Sequence, residues 1–245
     1  MSASGRVMQA FWGPEKLNSA AFVELVDKLD ASAEVAAIVR ALDGMNDIVD
    51  VGGGTGFLTQ ELAKRARVTV VEPSAEQRAK VPAGIQVRAG RAEDLPMGDR
   101  LNDAAIATWV LQYCDDPLRA IDELARVARR CVVIVQAAPN NDLVEVYNLE
   151  ADVAGLPRAD HAWLLDSAAA RLQAAGFETR VEHVAIPVRV TDARHAAEML
   201  SRLHFADHPK RAEMIEATEP FIRARLTAVA SLADDGVLLA AYRRE

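Results

Sequence analysis

The chain is poor in cysteine. Cys114 and Cys131 are the only two, and neither stands at metal-ligand spacing from the other or from a histidine. The reading is a pair of free thiols in a reducing compartment. Met1 to Phe11 contains no apolar run of the signal-peptide kind, and no stretch is long and apolar enough to cross a bilayer. A cytoplasmic enzyme or binding protein with no membrane partner is therefore expected. Basic charge is in the minority, with 28 Lys and Arg against 36 Asp and Glu, for a net charge of -8. An acidic chain repels a phosphate backbone, so nucleic acid is a poor partner. The basic runs, Arg129-Arg130 and Arg243-Arg244, are too short to reverse that and read as solvated ends of elements. Repeats and low-complexity segments are also absent. What remains is an ordinary globular composition, 51% hydrophobic and 26% charged over 245 residues. That length suits one domain with a sizeable core, or one domain with a small attached cap.

The pattern along the chain changes near residue 43. Before it, apolar spacing predicts two helices. One is capped by Asn18 or Ser19 and carries Phe22, Val23, Leu25, Val26 and Leu29. The other is capped by Ser32 and carries Val35, Ile38, Val39 and Leu42. After it, short apolar runs alternate with amphipathic segments. Strands are expected at Asp47–Val51, Val68–Glu72, Ile85–Arg88, Ala104–Thr108 and Cys131–Val135. Helices are expected at Gly56–Arg65, Ala75–Lys80 and after Asp116-Pro117, this last ending in arginines. Such alternation argues for a parallel sheet with helices on both faces. Past Gly176 a long strand is expected to run through Val184, Ile186, Val188 and Val190, with Pro187 marking an edge or a bend. About forty helical residues follow, from Asp192 to Leu232. A turn at Asp234-Asp235-Gly236 leads to a last strand, Val237–Tyr242. The domain reading is a single domain: a core of residues 44–191 and 233–245, with residues 1–43 and the insertion 192–232 as a cap over the site.

Asp50-Val51-Gly52-Gly53-Gly54-Thr55-Gly56 leaves a strand and enters a helix. Glycine permits positive φ and close approach of a ligand, and a helix start offers unpaired N–H groups. A dinucleotide loop would read Gly-x-Gly-x-x-Gly. Counted from Gly52 its third glycine falls on Phe57, and counted from Gly54 on Thr59. Asp50, two positions before the first glycine, would repel a pyrophosphate but suits a ligand with ammonium or sulfonium charge.

Four segments in order carry a family resemblance. Asp47–Leu62 resembles the first motif of class I S-adenosylmethionine-dependent methyltransferases, Asp/Glu-x-Gly-x-Gly-x-Gly. Val70-Val71-Glu72-Pro73-Ser74 resembles their second motif. Gly90-Arg91-Ala92-Glu93-Asp94-Leu95-Pro96 is similar to the adenine-side segment of the ubiquinone/menaquinone-type small-molecule group. Trp109-Val110-Leu111-Gln112-Tyr113 with Asp116-Pro117 resembles the segment after its fourth strand. The resemblance implies an α/β, Rossmann-like, doubly wound, seven-stranded, mostly parallel sheet with a helical cap, and S-adenosyl-L-methionine as cofactor. By the same resemblance Gly52, Gly54 and Gly56 shape the loop around the methionine part, and Asp50 orients loop and cofactor. Glu72 accepts from both ribose hydroxyls, Ala92 and Glu93 face the adenine edge, and Thr108 lines the cofactor site. Many relatives place Asp where Arg91 stands. Arg91 cannot accept a hydrogen bond, so its guanidinium is expected to stack or to point to solvent.

The implied chemistry is an in-line displacement, for which the protein supplies alignment and a dry site. Trp109 is expected near the methyl donor, Tyr113 at the substrate as a catalytic residue, and Tyr147 near the acceptor. Trp12, beside Phe11, is expected to close over the site. Each has an equally good reading as a packing aromatic. Of the five histidines, His204, beside Phe205, is the best candidate base. His204 and His208 are at i, i+4 spacing, but no acidic partner motif accompanies them and Pro209 follows, so no metal is expected. The function implied is methyl transfer to nitrogen or oxygen of a small-molecule acceptor. The alternatives are carbon methylation of a quinone-like acceptor, a cofactor-binding protein that transfers no methyl group, and a nicotinamide oxidoreductase. Nothing in the sequence sets an oligomeric state.

Overall fold

The computed structural model describes residues 18–159 and 162–244. The described chain forms two compact units. One, of residues 31–139, 162–186 and 235–244, is built on a sheet, and the other, of residues 18–30, 140–159 and 187–234, is mainly helical.

The sheet unit contains α2 (Ser32–Ala41), β1 (Asp47–Val51), α3 (Phe57–Ala63), β2 (Arg67–Glu72), α4 (Ala75–Arg78), β3 (Gln86–Ala89), β4 (Asn102–Thr108), α5 (Pro117–Val127), β5 (Ala128–Ala137), α7 (Ala162–Ala174), β6 (Phe177–Val184) and β9 (Gly236–Arg243). Its seven strands lie in the order β3-β2-β1-β4-β5-β9-β6. The first five are parallel, and β9 runs antiparallel to both β5 and β6. The order reverses between β1 and β4, which opens a crevice at the carboxyl ends of the strands where ligands sit in such sheets.

The strands are apolar on both faces because both are covered. Val49, Val51, Val132 and Ile134 pack with Ile121 and Leu124 of α5 and Leu172 of α7. Their neighbours in alternation, Ile48, Val133 and Val135, pack with Ile38 and Ala41 of α2 and Leu62 of α3. Each such buried side chain contributes about 1.5–3 kcal/mol. β4 lies at the centre, where Ala104 to Ala107 are fully buried. β3 is an edge strand whose four residues are all exposed.

The helical unit contains α1 (Ser19–Val26), α6 (Asp142–Ala154), β7 (Pro187–Val188), α8 (Ala193–Phe205), α9 (Arg211–Val229) and β8 (Leu232–Ala233). Asn18 caps α1, its side chain accepting from Ala21 N at 3.0 Å. Asp192 caps α8 in the same way through His195 N at 2.7 Å. The unit's core joins Ala21 and Leu25, Leu143 and Val146, Leu200 and Leu203, and Ile215 and Ile222.

Three local expectations are corrected. Ser32 begins α2 and the N-cap is Ala31. Arg129-Arg130 does not end a helix: α5 stops at Val127 and the arginines open β5, where Arg129 pairs with the buried carboxylate of Asp103. The long strand past Gly176 is two strands. β6 ends at Val184, and Pro187-Val188 pairs instead with Leu232-Ala233 in a separate two-stranded sheet. Proline has no N–H for a continuing ladder, so the chain bends there. Among the described residues no helix is long and apolar enough to cross a membrane.

Candidate active site

The loop after β1 is held by its own backbone. Gly52 N donates to Val71 O at 2.7 Å and Gly56 N to Gly53 O at 2.9 Å. Gly52, Gly54 and Gly56 have φ of 70°, 55° and 83°, a region that side chains other than glycine rarely adopt. Space is as restrictive as conformation. A Cβ on Gly52 would lie 2.5 Å from Cγ2 of Val110, and one on Gly53 would lie 2.8 Å from Oδ2 of Asp50.

Two buried carboxylates bracket this loop. Asp50 is 1% exposed and accepts from the hydroxyl of Thr59, which is fully buried in the first turn of α3. Burial pushes the Asp50 carboxyl up to about 6; the Thr59 hydrogen bond opposes this and the charge of Glu72 adds to it. Glu72 ends β2 and is 4% exposed. Its Oε2 accepts from Gly54 N at 3.1 Å and its Oε1 from Ser74 N at 2.8 Å. The carboxylate thus fixes the loop to the strand end, and each oxygen keeps acceptor capacity for a hydroxyl.

The third segment packs beside these ends. Ala92 is buried with Val71, Leu95 and Leu111. The Glu93 carboxylate accepts from Asp115 N at 2.8 Å and from Arg91 at 3.3 Å. Burial opposes its ionisation, but its own N–H, Arg91 and Asp115 N outweigh that and lower its pKa. Arg91 neither stacks nor points free into solvent. It spans Glu93 and Asp115, the latter at 2.7 Å. Thr108 is half-buried at the end of β4, level with Val135 of β5. Trp109 follows with φ of 60°. Its Nε1 donates to Glu34 of α2 at 2.8 Å, so the indole is anchored on that face of the sheet. Burial raises the pKa of Glu34, and the Trp109 bond counteracts this. Tyr113 is half-buried in the 3₁₀ turn Leu111–Tyr113.

A strand-helix turn with two buried acids, no dinucleotide spacing and a half-covered backbone fits a cationic nucleoside. A family model described as a methyltransferase domain matches residues 49–135. Residues 49–135 are thus similar to the methyltransferase-domain family. The chain is 38% identical over 90 residues to 2-methyl-6-phytyl-1,4-hydroquinone methyltransferase 2 of Oryza sativa subsp. japonica, a match covering 34% of this chain and 26% of that protein. The chain thus spans about a quarter of the length of the first curated relatives it matches. Among solved structures, the YcgJ protein of Bacillus subtilis superposes with a TM-score of 0.62 at 15% identity, over 86% of this chain and 98% of that one. The [4+2]-cyclase SpnF superposes with a TM-score of 0.53 at 20% identity, over 87% and 81%.

In the helical unit the structure brings Tyr147 and His204 together. Their rings meet edge to face at 5.2 Å, and Tyr147 stacks on Phe205 at 5.9 Å. Burial and then the charge of Glu150 raise the pKa of Tyr147. His204 Nδ1 lies 3.0 Å from Oε2 of Glu150, a fully buried side chain. Sequence reasoning missed Glu150. The signal was its place three residues past Tyr147, on one face of α6. It also missed Thr59 and Glu34, whose partners are far apart in the chain. Trp12 lies outside the described residues. Among the described residues no cluster of three or more His, Cys, Asp and Glu could hold a metal ion. Cys114 and Cys131 are buried free thiols, each pushed up by burial to about 12.

Proposed function

We propose that this chain binds S-adenosyl-L-methionine at Asp50, Gly52, Gly54, Gly56, Glu72, Ala92, Glu93 and Thr108, and transfers its methyl group to nitrogen or oxygen of a small molecule. The observation that carries the reading is the left-handed glycine loop held between two buried carboxylates. When bound, the cofactor supplies an electrophilic methyl on sulfur, whose carbon–sulfur bond breaks with its electron pair left on sulfur. Asp50 faces a site that favours positive charge, because a cation nearby relieves the cost of its own ionisation. Glu72 offers the remaining lone pairs of both oxygens to the ribose hydroxyls. The rigid loop excludes water and fixes the line of attack.

The acceptor's lone pair forms the new bond to carbon, and its proton must leave. His204 is the proposed base. Glu150 engages Nδ1, so Nε2 is the nitrogen offered to a proton. Tyr113 is proposed as a second catalytic residue, and Trp109, Tyr147 and Trp12 on the acceptor side, within a cytoplasmic enzyme. Carbon methylation is the second reading, favoured by the likeness to a protein named as a hydroquinone methyltransferase.

Titration calorimetry with S-adenosylmethionine, S-adenosylhomocysteine and NAD tests the cofactor. Micromolar affinity for the first two and none for NAD is expected, and the reverse order would refute the reading. Transfer of radiolabelled methyl to phenols, amines and hydroquinones then separates an enzyme from a protein that only binds the cofactor.

A further inference from the structure

In the sheet unit, Gln136 is fully buried near the end of β5, and neither its Nε2 nor its Oε1 has a hydrogen-bond partner among the described residues. Its backbone is in register with Val237 of β9, so the strand itself is satisfied and only the amide is stranded. By strand alternation it continues the row of Val132 and Ile134, which face the α5 and α7 side. Buried polar groups in folded proteins are paired almost without exception, and an orphaned one is destabilising. An apolar residue would pack there more stably. A side chain that weakens the fold at a strand end is a mark of function rather than of packing.

Its place supports this. Asp50 of β1 is level with Ile106 of β4, and Ile106 with Val133 of β5, so Gln136 stands three residues nearer the carboxyl edge. Two strand spacings separate β1 from β5, on the order of 10 Å, which is the reach of a small molecule. Gln112, half-buried in the turn that leaves β4, has an equally unpartnered Oε1. Two stranded amides thus lie at or just past the carboxyl ends of adjacent strands, on the crevice side of the sheet where ligands bind.

The chemistry of the amide narrows the ligand. Gln136 offers a donor and an acceptor side by side. A carboxylate would satisfy only Nε2 and an ammonium only Oε1, and either would bury a charge with no counter-charge beside the amide. A neutral group that both donates and accepts satisfies both.

Resting on the methyl-transfer reading above, we propose that Gln136 is a specificity-determining residue that hydrogen-bonds a neutral hydroxyl of the methyl acceptor. The acceptor is accordingly a phenol or alcohol rather than a zwitterion or polyamine.

The test compares the full-length protein with Gln136→Met, which keeps the length and removes both polar atoms. Catechol, hydroquinone and 4-hydroxyphenyl compounds serve as acceptors, with histamine and glycine as charged controls. Calorimetry with S-adenosylhomocysteine establishes the cofactor site first. If the wild type fails to bind it, the methyltransferase reading itself falls. With binding present, the proposal expects turnover on hydroxyl compounds above the charged controls. Gln136→Met is expected to melt at or above the wild-type temperature, to bind S-adenosylhomocysteine unchanged, and to raise KM for the hydroxyl acceptor at least tenfold. A melting temperature that falls would mean the amide is a structural group satisfied by buried water. An unchanged KM, or turnover confined to the charged compounds or absent from the whole panel, would overturn the assignment.

Discussion

Replacing Asp50 by asparagine asks whether a buried charge is kept at the glycine loop at the expense of stability. Asp50 is 1% exposed and its carboxyl titrates at about 6, against 3.8 for an ordinary aspartate. Burial is the main cause. Between those two values the folded chain holds a proton that the unfolded chain has released. Stability therefore falls as pH rises through the window from about 4 to about 6 and stays lower above it. The gap of about two pKa units corresponds to about 3 kcal/mol at neutral pH. The asparagine amide would be neutral throughout, and its carbonyl oxygen would still accept from Thr59. The Asp50→Asn variant is expected to match the wild type near pH 4 and to exceed it by up to about 3 kcal/mol at pH 7.5. For a chain of this size that is roughly 6–12 °C in melting temperature. The same substitution is expected to weaken binding of S-adenosylmethionine about tenfold or more. Binding of S-adenosylhomocysteine, which lacks the sulfonium, should change less. Differential scanning fluorimetry from pH 4 to 8, with and without each ligand, reads both effects. Parallel melting curves for the two proteins across that range would refute the electrostatic account. So would a variant that binds the sulfonium as well as the wild type.

Gly52→Ala places a methyl 2.5 Å from Val110 in a left-handed backbone; it is expected to abolish binding of S-adenosylhomocysteine by calorimetry while leaving a folded circular dichroism spectrum. Trp109→Phe removes the donor that holds the buried Glu34 carboxylate, so a loss of about 1–3 kcal/mol is expected by urea denaturation at pH 7.5. Because burial already raises the Glu34 pKa, protonation of the group as the pH falls should shrink that loss; a pH-independent loss would show that only packing was disturbed. Glu150→Gln weakens the partner that holds the His204 ring, so kcat for methyl transfer should fall while binding of S-adenosylhomocysteine stays unchanged; an unchanged kcat would remove His204 from the proton path.

The parallel half of the sheet was legible because its signals are local. Every expected strand from Asp47 to Val135 exists, since a strand covered on both faces must be a short apolar run and its ends must be turn residues. The errors fell where pairing decides. Arg129-Arg130 read as the charged end of a helix, yet the partner that draws them into β5 is Asp103, on the neighbouring strand. Val184 to Val190 alternates as one strand should. It is broken because Pro187 cannot continue the ladder and Leu232-Ala233 supplies another partner. Alternation reports which side of a chain is apolar, not which chain lies next to it.

The glycine loop and the residues proposed for the acceptor differ for a similar reason. The glycine loop has positive φ at Gly52, Gly54 and Gly56 and an acid at each of two strand ends, and those features fall on single positions. They were readable residue by residue. Acceptor recognition makes no such demand on the backbone. Glu150 reaches His204 across a separation of 54 residues, and Gln136 is conspicuous only because nothing among the described residues answers its amide. In the sequence it is one more polar letter at the end of Val-Val-Ile-Val. A residue whose meaning lies in a missing partner becomes visible only once the fold has assigned every other hydrogen bond. The buried, unpaired groups of such a sheet are therefore where its substrate preference should be sought.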